Sequence, residues 1–219
     1  MKECQWKKEG KINMPASHID FIVEELSMEQ FLEPLLKNFL RPQGCTYTIH
    51  SHKGKLALLE RLESRLKGYS SFLPPDHRIV VIVDRDTDSC HELKDKLESA
   101  CSKAGLLSKN KASTPHWQVV NRIAIEELEA WYFGNWEAVR KAFPRLPENI
   151  PRKAPYRKPD DIKGGTWEAF ERILNEQGYY KQGLNKLQAA ATIGNHINPE
   201  DNLSPSFQSF WQAIMEAVR

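Results

Sequence analysis

The sequence predicts an α/β fold: a mainly parallel sheet flanked by helices, with a small C-terminal helical extension. Three observations predict it. Ile79 to Val83 is a run of five apolar, β-branched residues, the pattern of a strand buried on both faces. Strand and helix signals alternate along the first 143 residues, the order that builds parallel sheets covered on both sides. Finally, 219 residues with 40% hydrophobic and 27% charged content suit one α/β domain with an appendage.

Residues 1–15 are polar and Lys-rich, with no apolar signal-peptide core, and read as a disordered tail; Met14 offers an alternative beginning. Residues 18–23 read as a first strand, ending at Glu24 and Glu25. Ser27 is expected to cap a helix whose apolar face carries Phe31, Leu32, Leu35, Leu36, Phe39 and Leu40, with Pro34 near its first turn. A short strand is expected over 45–49, then an amphipathic helix over 53–66 with Leu56, Leu59, Leu62 and Leu66 inward and Gly68 at its end. After the acidic strand comes a helix over about 89–104, stopped by Gly105. A fourth strand lies within 117–125, a helical run starts near Glu126, and a short helix covers 136–143. The α/β core is thus placed at 16–143.

Composition changes after Phe143. Residues 144–165 form a basic, Pro-rich loop with prolines at 144, 147, 151, 155 and 159, which no regular helix or central strand accommodates. Residues 166–219 form the helical extension, with helices near 167–174, 184–193 and 207–218; Ser204-Pro205 reads as an N-cap followed by proline at the first helical position.

Composition bounds function loosely. Thirty-one basic against 29 acidic residues, a net +2, neither demand nor exclude nucleic acid. Cys4, Cys45, Cys90 and Cys101 show no Cys-x-x-Cys spacing and fit a reducing cytosol, so a cytoplasmic location is expected. No apolar run approaches the roughly 20 residues of a membrane span.

The chemistry concentrates where strands end. Asp84, Asp86 and Asp88 follow the buried strand at alternate positions, and Glu24 follows the first strand. Open α/β sheets bind ligands at that edge. Carboxylates packed so closely repel one another, and a hard cation such as Mg²⁺ or Mn²⁺ holds them ionised. Glu129 is a further candidate, three residues after Glu126 on nearly the same helix face. The plain alternatives are that the aspartates form a capping turn, that the glutamates favour a helix dipole, and that Trp131, Trp136 and Trp167 are core. His50 and His52 have no visible partner. Lys53 and Lys55 flank Gly54 at a helix start, where phosphate binds, although no Walker A spacing is present. Arg152, Lys153, Arg157 and Lys158 form a basic run able to track a nucleic-acid backbone, or simply a solvated loop. A lysine, Lys181 or Lys53, is the candidate for stabilising charge developed during phosphoryl transfer.

These motifs resemble the TOPRIM domain of topoisomerases, primases and overcoming-lysogenization-defect nucleases, through Phe21-Ile-Val-Glu24 and Val81-Ile-Val-Asp-Arg-Asp86. They are closer still to the DUF4276 family. Its order of motifs is matched by Lys53-Gly54-Lys55, Asp84-Arg-Asp86, Glu127-Leu-Glu129-Ala-Trp131 and Ser204-Pro-Ser-Phe207. One departure is Glu25, which stands where the glutamate motif has glycine. The resemblance implies a TOPRIM-like, Rossmann-like fold and a metal-dependent nuclease or nuclease subunit acting on nucleic acid. Glu24, Asp84 and Asp86 would hold Mg²⁺ or Mn²⁺, with Asp88 and Glu129 beside them. It also implies a setting in phage defence and a separate AAA-type ATPase as partner. Two alternatives remain open: a non-catalytic module binding nucleic acid or that ATPase, and a metal-dependent phosphotransferase acting on small nucleotides.

Overall fold

The computed structural model describes residues 14–180 and 185–219. The tail expected over 1–15 lies, up to residue 13, outside the described residues, and so does Lys181. Four strands, β1 (His18–Val23), β2 (Thr46–Ser51), β3 (His77–Asp84) and β4 (Val119–Ala124), form one sheet in the order β2-β1-β3-β4. Every pairing is parallel, with His18 opposite both Thr46 and His77, and Ile79 opposite Val119. This is the Rossmann-like arrangement that the TOPRIM resemblance implied.

Alternation along the two central strands explains why both faces are covered. Ile19, Phe21 and Val23 of β1, with Val80 and Ile82 of β3, point into the larger core. Ile22 of β1, with Ile79, Val81 and Val83 of β3, points into the smaller one. The smaller core is closed by α2 (Lys55–Ser70) and α3 (Cys90–Lys103), through Leu58, Leu62, Leu66, Leu93 and Leu97. The larger core gathers α1 (Leu26–Leu40), α4 (Glu129–Gly134), α5 (Trp136–Ala142), α6 (Thr166–Glu176), α7 (Lys186–Gly194) and α8 (Pro205–Ala217). The C-terminal helices therefore share a core with the sheet: Trp131 stacks on Phe210 with centroids 5.1 Å apart, and Phe210 meets Phe21 edge-on at 6.5 Å. The Ala16 N–H donates to the Ala217 carbonyl at 2.7 Å, so the two ends of this core adjoin.

Several local expectations are corrected. The N-cap of α1 is Glu25, without a side-chain cap, and the Ser27 hydroxyl donates to the Glu25 carboxylate instead. Pro34 lies inside α1, where its ring faces α7 at Gly194. Leu56, expected inward, is 77% exposed, because the buried stripe of α2 runs through Leu58, Leu62 and Leu66. Gly68 sits within α2, which runs on to Ser70. Helix α4 begins at Glu129 and not at Glu126, since the preceding residues hydrogen-bond outward to other segments. The Pro-rich segment holds three short 3-10 turns, at Ile150–Arg152, Ala154–Tyr156 and Pro159–Asp161. No helix among the described residues is long and apolar enough to cross a membrane.

Candidate functional site

Strand order reverses between β1 and β3, since the chain leaves β1 towards β2 on one side and later reaches β4 on the other. The carboxyl ends of two such strands frame the crevice in which open α/β sheets bind ligands. Glu24 and Asp84 stand at those two ends. The Asp84 N–H donates to Glu24 Oε2 at 3.0 Å, so the acids that the sequence assigns to one centre are neighbours. Glu24 is 7% exposed and Glu129, from the first turn of α4, is 6% exposed.

The electrostatics of this group are those of crowded, buried acid. Burial pushes the Glu24 carboxyl up to about 7, against the opposing pull of the Asp84 N–H and Lys55. Glu129 is pushed up to about 7, first by burial and then by Glu127. Asp84 is raised well above the carboxylate range by burial, then by Glu24 and Glu129. Its Oδ1 is buried and accepts no hydrogen bond. An orphaned, buried carboxylate oxygen is costly unless a donor or a cation reaches it. Tyr132 is near enough to feel the same acids: it is 2% exposed, and its phenol is raised by burial and then by the charges of Glu129 and Asp84.

Asp86 and Asp88 are placed differently. Both are exposed, and the Lys55 ammonium donates to each at 2.7 Å and to the Arg85 carbonyl at 3.0 Å. The motif Lys53-Gly54-Lys55 explains how Lys55 arrives there. Gly54 has φ 93° and ψ 168°, a region essentially open to glycine alone, and its N–H is fixed to the Glu24 carbonyl at 3.1 Å. Asp86 itself has φ 50°, a left-handed conformation that aspartate tolerates better than most residues. Its N–H donates to the Glu126 carbonyl at 2.9 Å, while Arg85 pairs with the Glu126 carboxylate at 2.9 Å. The Asp-x-Asp turn is thus zipped to the segment after β4.

Glu127, read from the sequence as a helix-start acid and as part of the Glu-x-Glu-Ala-Trp motif, caps a different helix. Its Oε2 accepts from the Thr166 hydroxyl and the Trp167 N–H, both at 3.0 Å, at the start of α6. Lys186 is the residue that sequence reasoning missed. Its ammonium lies 3.8 Å from the centroid of the partly exposed Trp167 ring, and its charge lowers the pKa of Glu129. Only its place one residue after the Asn185 helix cap could have drawn notice. Trp131 and Trp136 are core, as expected, whereas Trp167 is not.

The remaining basic candidates are scattered. Lys53 is exposed and lines an open cleft of about 580 Å³ with His52, Arg61 and Arg65. Arg152, Lys153, Arg157 and Lys158 are exposed on the Pro-rich turns, with Arg152 3.8 Å from Glu148 and Arg157 donating to the Arg152 carbonyl. The histidines do have partners: His50 meets Asp20 at 3.1 Å and Tyr69 at 3.2 Å, and His52 meets the Val23 carbonyl at 3.2 Å.

No group of three or more His, Cys, Asp or Glu side chains among the described residues is gathered as a metal-ligand set. Magnesium asks for less, since it keeps several waters and takes one or two carboxylates beside substrate phosphate. Glu24 and Asp84 meet that need: both are hard oxygen donors, they adjoin, and one oxygen lacks any partner.

Residues 23–215 match the family model described as "Domain of unknown function (DUF4276)". Two solved structures resemble the chain. The C-terminal region of the Burkholderia pseudomallei OLD protein is 13% identical, with a TM-score of 0.49, covering 93% of this chain and 99% of that one. The C-terminal region of the Xanthomonas campestris pv. campestris OLD protein is 14% identical, with a TM-score of 0.44, covering 93% and 96%. No curated protein matches the chain.

Proposed function

Because the chain belongs to the DUF4276 family, we propose that it is a metal-dependent nuclease or nuclease subunit that cleaves nucleic-acid phosphodiesters. The observation that carries this reading is the convergence of Glu24 and Asp84 at the switch point of the sheet, with Asp84 Oδ1 buried and unpartnered.

In this proposal Glu24 and Asp84 hold Mg²⁺ or Mn²⁺, with Glu129 as the third acid of the group. When bound, the ion supplies polarisation of a phosphoryl oxygen and a water of lowered pKa. The chain's own residues do the rest. Burial of Glu24 and Glu129 limits solvent competition and strengthens every charge in the crevice. Lys186, held over Trp167 and facing Glu129, steers a phosphate and balances charge that develops on it. Exposed Lys53 and the 152–158 run are the candidate backbone contacts. A role in phage defence beside a separate AAA-type ATPase belongs to the same proposal.

The test is cleavage of plasmid DNA and of RNA with Mg²⁺ or Mn²⁺, comparing wild type with the Asp84→Asn, Asp86→Asn double variant. Turnover is expected in wild type and not in the variant. A panel of small phosphoesters run alongside identifies a phosphotransferase acting on nucleotides. A second reading, a binding module without turnover, is favoured by the pairing of Asp86 and Asp88 with Lys55, which leaves fewer free ligands. Nucleic-acid affinity unchanged by EDTA, with no cleavage in any condition, would establish that reading instead.

A further inference from the structure

Building on the metal-dependent reading, we propose that Lys55 is a permanent internal cation filling the outer half of the acidic centre. The chain then takes one divalent ion, at the inner acids Glu24 and Asp84, and not two.

The acids fall into two sets with opposite circumstances. In the outer set, the Lys55 ammonium has three donors and three acceptors: Asp86 Oδ2 at 2.7 Å, Asp88 Oδ2 at 2.7 Å and the Arg85 carbonyl at 3.0 Å. Its side chain is only 11% exposed, although the two carboxylates it joins are 45% and 48% exposed. A lysine on the surface of a helix ordinarily extends into water; this one runs along the crevice and delivers its charge from within. In the inner set, no Lys or Arg among the described residues forms a direct ion pair with Glu24, Asp84 or Glu129; Lys55 and Lys186 act on Glu24 and Glu129 only from further off, and Asp84 Oδ1 has no hydrogen-bond partner. The need for an added cation therefore lies with the inner acids.

The pairing is built into the backbone on both sides. Gly54 sets the direction of Lys55 from a conformation closed to other residues, and its N–H is tied to Glu24. Asp86 is held at φ 50° by the bond from its N–H to Glu126. Moving Lys55 aside for a second ion would leave an ammonium without its three acceptors. Lys55 is accordingly a positioning residue, and it is not free to bind a phosphate backbone.

Counting bound Mn²⁺ on the full chain, by electron paramagnetic resonance and calorimetry, tests this without reference to activity. Wild type is expected to bind one ion per chain. Lys55→Met is expected to bind two, Lys55→Arg one, and Asp86→Asn still one with affinity within about threefold. Asp84→Asn is expected to bind none. Two ions on wild type, or one on a folded Lys55→Met variant, overturns the role of Lys55 and leaves the metal-dependent reading intact. Loss of the ion in Asp86→Asn likewise overturns the division into two sets. Wild type binding no Mn²⁺ overturns both. The wild-type count and the Asp86→Asn result decide the matter even if Lys55→Met does not fold.

Discussion

Asp84 carries an oxygen that is buried, ionisable and without a partner, beside two other buried acids. A folded chain retains such an arrangement at the expense of stability, because like charges in a dry site repel and the ionised form is poorly solvated. Asp84→Asn removes the charge and keeps the shape. In EDTA this variant is expected to be more stable than wild type by roughly 1–2 kcal/mol, seen as a higher denaturant midpoint, while any cleavage is lost. A less stable variant would mean that the carboxylate is an ordinary structural group. Gly54 makes the converse case. A Cβ there meets nothing within 4 Å, so the cost of Gly54→Ala is one of backbone conformation alone, about 1–3 kcal/mol by thermal unfolding. At this scale the sequence was legible where the chemistry is local. The adjacency of Glu24 and Asp84 followed from the strand ends on which the sequence places them. The inward turn of Lys55 was not legible, because it depends on one glycine dihedral and on a loop 31 residues further along the chain. The placing of Lys186 over Trp167 was not legible either, because the two residues lie on separate helices, α7 and α6.

Between elements, the C-terminal motif has a structural meaning. Ser204 caps α8 by accepting the Phe207 N–H at 3.2 Å. Ser206 accepts the Trp131 indole N–H at 3.0 Å, while Asp160, from the Pro-rich segment, accepts the Ser206 N–H at 2.7 Å. These bonds fasten α4, α8 and the end of the basic loop together beside the crevice. Ser206→Ala leaves the buried indole donor without its acceptor, and a loss of about 1–3 kcal/mol in chemical denaturation is expected. Helix contacts are equally specific. An added Cβ at Gly194 would lie 2.3 Å from the Phe31 carbonyl oxygen, so Gly194→Ala must push α7 off α1 at a cost of about 1–3 kcal/mol. At Gly68, within α2, a Cβ meets nothing within 4 Å, and alanine there is expected to stabilise by about 0.4–1 kcal/mol. Paired melting curves of the two alanine variants should move in opposite directions. Periodicity located α1, α2, α3 and α8 because their buried faces repeat along the chain. It misjudged the start of α4 and the end of α2, where the deciding bonds come from other segments: Glu126 is held by Arg85, and no turn follows Gly68 until Ser71.

For the molecule as a whole, the parallel sheet was legible because Ile79 to Val83 needs cover on both faces and finds it. How far the C-terminal helices enter the larger core was not, since nothing in the spacing of Phe207 and Phe210 names Trp131 or Phe21 as their neighbours. A fragment of residues 16–143 would expose the surface that Phe170, Phe207, Phe210 and Trp211 now cover. It is expected to be insoluble or to lack a cooperative melt by circular dichroism, and a fragment that melts sharply would show the later helices to be dispensable. The hydrogen bond from Ala16 to Ala217 carries this into the history of the chain. Domains tend to assemble as they emerge from the ribosome, earliest segments first. Here β1 borders α8, so a nascent polypeptide must wait with β1 half-clothed until residue 217 is out. During that interval its apolar side is open to chaperones and proteases, and slowing translation of the codons for α8 should lower the yield of intact protein.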